Sequence, residues 1–467
     1  MIVINQTRNS MRDFYHRSNR WILTVFAILA TVMLQAQTEI IDYEIPPIPD
    51  NEFTIDARLN TRGEIRVGGF DPEVEEAGKS PKAQFIMGQY RINLGYKRSD
   101  WFEMRLSPQF SGVWGQAGGT LSLAEGWFSM KHKKTGLFAK IGRQVLEYDD
   151  ERILGYDDWT MTAPTHDVLK FGFEGYGHKV HALLAYNQNS DNVSAGTSYY
   201  AGGIQPYKTM QTLWYHYTTP KSIFEISLLG MNVGMQSMIS EKPDKTVYQQ
   251  LFGTYMVLKP SIVRLEGAFY YQLGKEEHGI PLNAYMGSAK LKVTPNDIYN
   301  LYVGYDYLSG DKYFAVPAEG NLGMVYHDVI RGFCPIFGSH HEFYGAMDFF
   351  YVDSYVGGFT PGLQNLYTGG SVNPVKGLNI NAAYHFFAIA TNLENLKKPL
   401  GHEIELSLNY SFAKFVRVGA GYSYMRGAET MEKLQHVSDN RQLHWGWVMI
   451  SVTPTIFTLP WNDKKKQ

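Results

Sequence analysis

The chain has 467 residues, 43 Lys+Arg against 45 Asp+Glu and a formal net charge of −2, a balance that excludes a general nucleic-acid binder, which needs a basic excess. A single cysteine excludes an internal disulfide and a Cys-rich metal site, and 44% hydrophobic residues exclude a disordered chain. Two or three soluble domains fit the length, as does one large barrel; the 14% aromatic content, 45 glycines and lack of a long apolar run after the N-terminus favour the barrel.

Residues 1–36 read as a secretory signal. Arg12, Arg17 and Arg20 precede an apolar run over 21–34, and Leu34-Gln35-Ala36 offers small residues at the spacing of a cleavage site. Met11 is an alternative start. No cysteine stands at the exit, so no lipid anchor is expected. Residues 37–53, acidic and rich in proline, read as an extended periplasmic lead-in.

From residue 54 the pattern is alternation. Ile55, Ala57, Leu59, Ile65 and Val67 fall on one parity, and Asp56, Arg58, Asn60, Arg62, Glu64 and Arg66 on the other. Successive strand side chains point to opposite faces, so the segment has one apolar and one charged face. The split recurs in 86–97, 102–113, 262–273 and 403–410. Faces this charged cannot meet in a dry core. They suit a wall with lipid on one side and water on the other.

Candidate strands lie near 54–68, 85–97, 102–114, 121–132, 136–148, 167–176, 178–188, 209–218, 222–233, 248–258, 261–273, 283–293, 299–309, 362–373, 378–389, 402–412, 415–426 and 442–457. This predicts an all-β transmembrane antiparallel barrel of about 18 strands over 54–457. Short periplasmic turns alternate with long extracellular loops, and 458–467 forms a basic tail. Residues 341–350 resemble a strand in isolation. Counting them breaks the even number and moves a tight turn to the outer rim, so 310–361 is read as one long extracellular or pore-folding loop. Tyr90, Tyr96, Trp101, Trp114, Trp127, Tyr215, Tyr217, Tyr305 and Tyr422 are candidates for the interfacial aromatic girdles.

Alternation nominates Arg58, Arg66, Arg91, Arg105 and Arg264 for the lumen, with Glu64, Glu103, Glu125, Glu266, Glu403 and Glu405 as its acids. A ring of like charge selects ions of the opposite sign. Each of these residues has a second reading, as a wall ion pair that braces the barrel. No Gly-x-Ser-x-Gly or His-Glu-x-x-His motif is present, and Cys334 has no evident base, so no enzyme is expected. No cofactor is expected either. Asp149, Asp150, Asp157 and Asp158 form an acidic loop that offers oxygen ligands for a structural calcium ion, although their spacing also suits a solvated loop.

Several segments together resemble the alginate-export family of outer-membrane barrels. They are Gly142-Arg143-Gln144 running into Tyr148-Asp149-Asp150-Glu151-Arg152 and Asp158-Trp159; Phe337, His340, His341, Phe343, Tyr344, Gly345 and Asp348; and Leu400-Gly401-His402-Glu403-Ile404-Glu405-Leu406. The resemblance implies an 18-stranded barrel with an arginine-rich constriction, matched here by Arg143 and Arg152. It also implies export of an anionic polysaccharide with periplasmic partners. The short periplasmic turns, including that at 412–414, depart from the long gating turn of that family. The expected function is therefore an outer-membrane channel for hydrophilic, anionic solutes or saccharides. Polysaccharide export and a loop-based surface receptor or adhesin are the alternatives.

Overall fold

The computed structural model describes residues 49–68, 82–156, 158–162, 164–190, 192–196, 198–200, 202–238, 245–311, 328–348, 350, 361–393, 396–435 and 442–463. The expected signal, most of the lead-in, Asp157, parts of the 310–361 loop and the last lysines lie outside them. The strands are β1 (Asn51–Val67), β2 (Lys82–Arg98), β3 (Phe102–Val113), β4 (Thr120–Lys131), β5 (Leu137–Gln144), β6 (His166–Gly175), β7 (His178–Tyr186), β8 (Thr209–Thr218) and β9 (Phe224–Gln236). They continue as β10 (Thr246–Leu258), β11 (Val263–Lys275), β12 (Pro281–Val293), β13 (Tyr299–Leu308), β14 (Leu363–Val375), β15 (Leu378–Ala388), β16 (Pro399–Ala413), β17 (Val416–Gly427), β18 (Gln442–Val452) and β19 (Thr455–Trp461). Two short helices, α1 (Asn192–Ala195) and α2 (Glu429–Gln435), lie in the long connections.

Each strand pairs antiparallel with the next. The last two are one passage interrupted at Thr453-Pro454. Val67 faces His444 and Leu59 faces Val452 on β18, and Asn51 faces Trp461 on β19. Pro454 has no N–H to donate, and its carbonyl accepts from Ala57 N at 3.0 Å. The other edge of β1 pairs with β2 along its whole length, from Asn51↔Arg98 to Val67↔Lys82. This closes a barrel of 18 antiparallel strands and leaves no edge exposed. Connections at one rim are two to five residues long, and those at the other include 145–165 and 309–362.

The outer surface is apolar. Leu121, Leu137, Leu213, Leu228, Phe252, Phe269 and Leu301 stand exposed on it. Strand boundaries differ from the sequence reading by a few residues at several ends. β1 begins at Asn51, the final strand runs on to Trp461 rather than yielding to a tail at 458, and β5 ends at Gln144 rather than 148. The described part of 310–361 contains no strand.

Trp127 is not in a girdle. An extra residue bulges β4 between the pairs Ser107↔Glu125 and Pro108↔Leu123, and Trp127 faces inward beside Glu125, its Nε1 donating to the carboxylate at 2.8 Å.

Candidate functional site

The loop at 145–165 enters the barrel because of how β5 ends. Gly142 has φ +119°, and a Cβ there would meet Gly126 O at 2.2 Å, so only glycine fits this kink. Gln144, fully buried, turns inward and donates to the carbonyls of Gly142 at 3.2 Å and Val168 at 3.0 Å. Arg143 keeps the parity of Ile141 and faces outward. There it grips Asp167 with Nε and Nη2 at 2.9 and 2.8 Å and donates Nη1 to Leu123 O at 3.3 Å. Arg143 is therefore not in the lumen but braces the outer wall where the loop departs.

Beyond this root Leu146 and Tyr148 are buried inside the barrel. Tyr148 lies 4.9 Å from Trp214 of β8 and shares a hydrogen bond with His181 Nδ1 of β7 at 3.1 Å. Trp214 Nε1 donates to Asp149 at 3.0 Å, and burial raises the Asp149 carboxyl to about 6. Arg152 then reaches the far wall. Its Nη2 lies 3.2 Å from Asp306 of β13, its Nε 3.2 Å from Asp150, and its Nη1 donates to Tyr344 Oη at 2.9 Å. Burial opposes the charge of Arg152, but Asp306, Tyr344 and Asp150 outweigh it and hold the guanidinium protonated.

The same loop next meets the polar wall. Arg58 and Arg91 both donate to Tyr156 Oη, at 3.2 and 2.8 Å. Arg62 donates to Trp159 O at 2.6 Å and lies 3.7 Å over the Trp159 ring. Gln89 and Gln109 both donate to Met161 O, at 3.1 and 2.9 Å. Side chains of three strands thus satisfy a loop that has no regular partner strand, which is what buried backbone carbonyls require.

The second loop folds in beside the first. Gln272 of β11 clamps the backbone of Cys334, donating to its carbonyl at 2.6 Å and accepting from its N–H at 3.1 Å. Phe337 pairs in parallel with Leu154, and Ser339 N donates to Glu151 O at 2.8 Å, so the loops hold each other. His341 stacks on Trp159 at 4.2 Å with planes 3° apart. Gly345 has φ +93°, and a Cβ there would meet Glu403 Oε2 at 2.4 Å. This close approach lets Glu405 and Glu403 accept the N–H groups of Ala346 and Met347 at 2.7 and 3.0 Å.

Among the described residues, two cavities border this septum. One of about 540 Å³ opens among the short-turn residues Lys414 and Phe415 and is lined by Arg58, Arg417, Tyr156, Trp159, His341 and Glu342. The other, about 250 Å³, is lined by Arg152, Lys290, Glu266, Asp306, Glu405 and His385 among others. His341 and Glu342 border both.

The other nominated residues are placed as follows. Arg66 pairs with Glu64 at 2.8 Å, Arg105 lies 3.8 Å from Glu125, and Arg264 pairs with Glu266 on its own strand. Glu103 is exposed near the short-turn rim. Asp149 and Asp150 are engaged by Trp214 and Arg152, and among the described residues no group of three or more His, Cys, Asp or Glu is arranged to hold a metal. Arg62, which shares the parity of Arg58 and Arg66, and the loop residues Tyr156, Trp159 and Tyr344 complete the septum. The first was legible from alternation; the loop residues carried no periodic signal.

No family model matches the sequence, and no curated protein matches it. Solved structures share the fold. OccK5 (OpdH) of Pseudomonas aeruginosa is 11% identical with a TM-score of 0.58, over 86% of this chain and 99% of that one. A BenF-like porin from Pseudomonas fluorescens Pf-5 is 14% identical with a TM-score of 0.58, over 86% and 99%. OccK2 (OpdF) of Pseudomonas aeruginosa, solved in complex with glucuronate, is 13% identical with a TM-score of 0.58, over 87% and 98%. The resemblance to the alginate-export family is thereby corrected: the neighbours are Pseudomonas porin-type barrels. Of the residues that carried the resemblance, Arg143 braces the wall, and Gln144, Arg152, Trp159, His341, Glu403 and Glu405 hold the loops.

Proposed function

We propose that this chain is an outer-membrane diffusion channel for small hydrophilic solutes, anionic ones preferred, narrowed by two loops folded into its lumen. The observation that carries the reading is the septum itself. Loops 145–165 and 328–348 cross the barrel and leave cavities of about 540 and 250 Å³ lined by charged side chains. The larger volume suits one small solute. Around it Arg58, Arg417 and Lys414 outnumber Glu342, which lowers the cost of an anion in the narrow part. The shared fold and the glucuronate held by OccK2 support the same solute class. Passage is diffusive and involves no chemical step, and a septum this tightly bonded does not suit a polymer.

The test is single-channel conductance in a planar bilayer, with glucuronate as the probe. Discrete conductance, an anion-selective reversal potential under a salt gradient and brief glucuronate blockades are expected. A folded barrel that does not conduct overturns the reading. Arg58→Glu with Arg417→Glu should reverse the selectivity, whereas Arg143→Glu, on the outer wall, should leave it unchanged.

A further inference from the structure

The outward face of β15–β18 carries an arrangement that the channel does not use. His402, Arg426 and His444 all lie within four residues of the ends of their strands at the long-loop rim. Their parity is outward: Ile404, Tyr422 and Val448, two or four residues along the same strands, are exposed to the lipid side. Register makes His402 and Arg426 direct cross-strand partners and sets His444 opposite Tyr424, diagonal to Arg426. Such neighbours lie about 5 to 8 Å apart.

Both histidines are held in the same way. Tyr384 Oη meets His402 Nδ1 at 2.5 Å, and Tyr422 Oη meets His444 Nδ1 at 2.7 Å. In the tautomer whose Nδ1 accepts from the tyrosine hydroxyl, the ring proton is on Nε2, and each imidazole presents an N–H donor. Arg426, exposed between them, adds a charged fork. The outward positions of these strands near the rim, 384, 386, 402, 404, 406, 422, 424, 426, 442, 444, 446 and 448, include no acid. A cation on a lipid-facing wall is costly unless it sits at the interface and meets an anion there.

We infer that His402, Arg426 and His444 form a docking site for the phosphate of an outer-leaflet glycolipid, whose acyl chains lie along Ile404, Leu406 and Val448. The guanidinium and two Nε2–H donors match phosphate oxygens in number and spread, and charge-assisted bonds of this kind are the strong ones. The inference rests on the outer-membrane reading above.

Native mass spectrometry of the full chain in detergent tests it, with bis-phosphorylated lipid A, the same lipid after dephosphorylation, and phosphatidylcholine as probes. The wild-type barrel should retain the phosphorylated lipid preferentially. His402→Gln/Arg426→Gln/His444→Gln should lose that preference on the order of tenfold, with Arg426→Gln alone losing part of it. Arg417→Gln, which faces the lumen, should keep it. Equal retention of the phosphorylated and dephosphorylated lipids, unchanged retention by the triple variant, or patch-dependent dimers without lipid would overturn the site. Conductance recorded on the same preparations separates the failures: a conducting barrel without lipid preference removes this site alone.

Discussion

The two sides of the barrel interior hold the inserted loops by different physics. On β1–β3 the inner face is Arg58, Arg62, Arg91, Gln89 and Gln109, and it grips the first loop through hydrogen bonds to Tyr156, Trp159 and Met161. On β7–β12 the rim-side inner face is Leu183, Met210, Leu229, Met231, Leu251, Tyr270, Ala284 and Met286, all buried, in one cluster with Leu146, Leu154, Phe333 and Phe337 of the loops. A water-filled wall must be polar, so an apolar inner wall means that protein covers it. The difference marks where the wall holds the loops through polar groups and where wall and loops form a packed core.

The largest effect should come from the buried ion pair that ties the first loop to β13, Arg152 with Asp306. Arg152→Met leaves Asp306 uncompensated in the interior and should cost about 3–5 kcal/mol. Denaturant unfolding in vesicles should show this, with a conductance that rises and turns noisy. Adding Asp306→Asn should recover much of the loss, and a lack of recovery would show that the pair is not the tie. On the apolar side, Leu154→Ala should cost about 2–5 kcal/mol and likewise raise conductance, while leaving the reversal potential near its wild-type value. On the polar side, Tyr156→Phe should cost only about 1–3 kcal/mol but shift the reversal potential towards anions, because Arg58 and Arg91 lose a shared acceptor. If the two variants changed selectivity alike, the contrast between the walls would fail.

A subtler effect is one of pH. The Asp149 carboxyl is raised by burial from 3.8 to about 6 in the folded chain. The folded state therefore binds the proton more tightly than the unfolded one, and stability falls as pH rises from 3.8 through about 6, then levels off. The loop root should be seated most firmly at acid pH, and Asp149→Asn should flatten the dependence and be the more stable form at neutral pH. A wild-type midpoint that does not change between pH 5 and 7 would contradict this. Smallest is Glu125→Gln: its 3.8 Å contact with the partly exposed Arg105 should be worth no more than about 1 kcal/mol, detectable only as a slight change in midpoint.

The same contrast separates what could be read early from what could not. Arg58, Arg62, Arg66 and Glu64 share one parity of β1, so period-two alternation was enough to put them on one face. Alternation fades on β7–β9, where Leu183, Met210, Leu229 and Met231 are buried towards the loops and Leu184, Leu213 and Leu228 are exposed towards lipid, and a pattern of two polarities cannot mark a stretch that has only one. Arg143 misled for a related reason. It is charged yet outward, since β5 is kinked at Gly142 and Asp167 supplies its counter-charge across the strand pair.

The sequence alone determined the strand number, the even closure and the two unequal rims, because those depend on local periodicity and turn length. Only the tertiary structure decided where 145–165 and 328–348 go. Their anchors lie far away in the chain: Arg152 to Asp306, Cys334 to Gln272, Ala346 and Met347 to Glu405 and Glu403. No local pattern encodes those partners, since an irregular loop takes its hydrogen bonds from whichever wall it reaches once the barrel has closed.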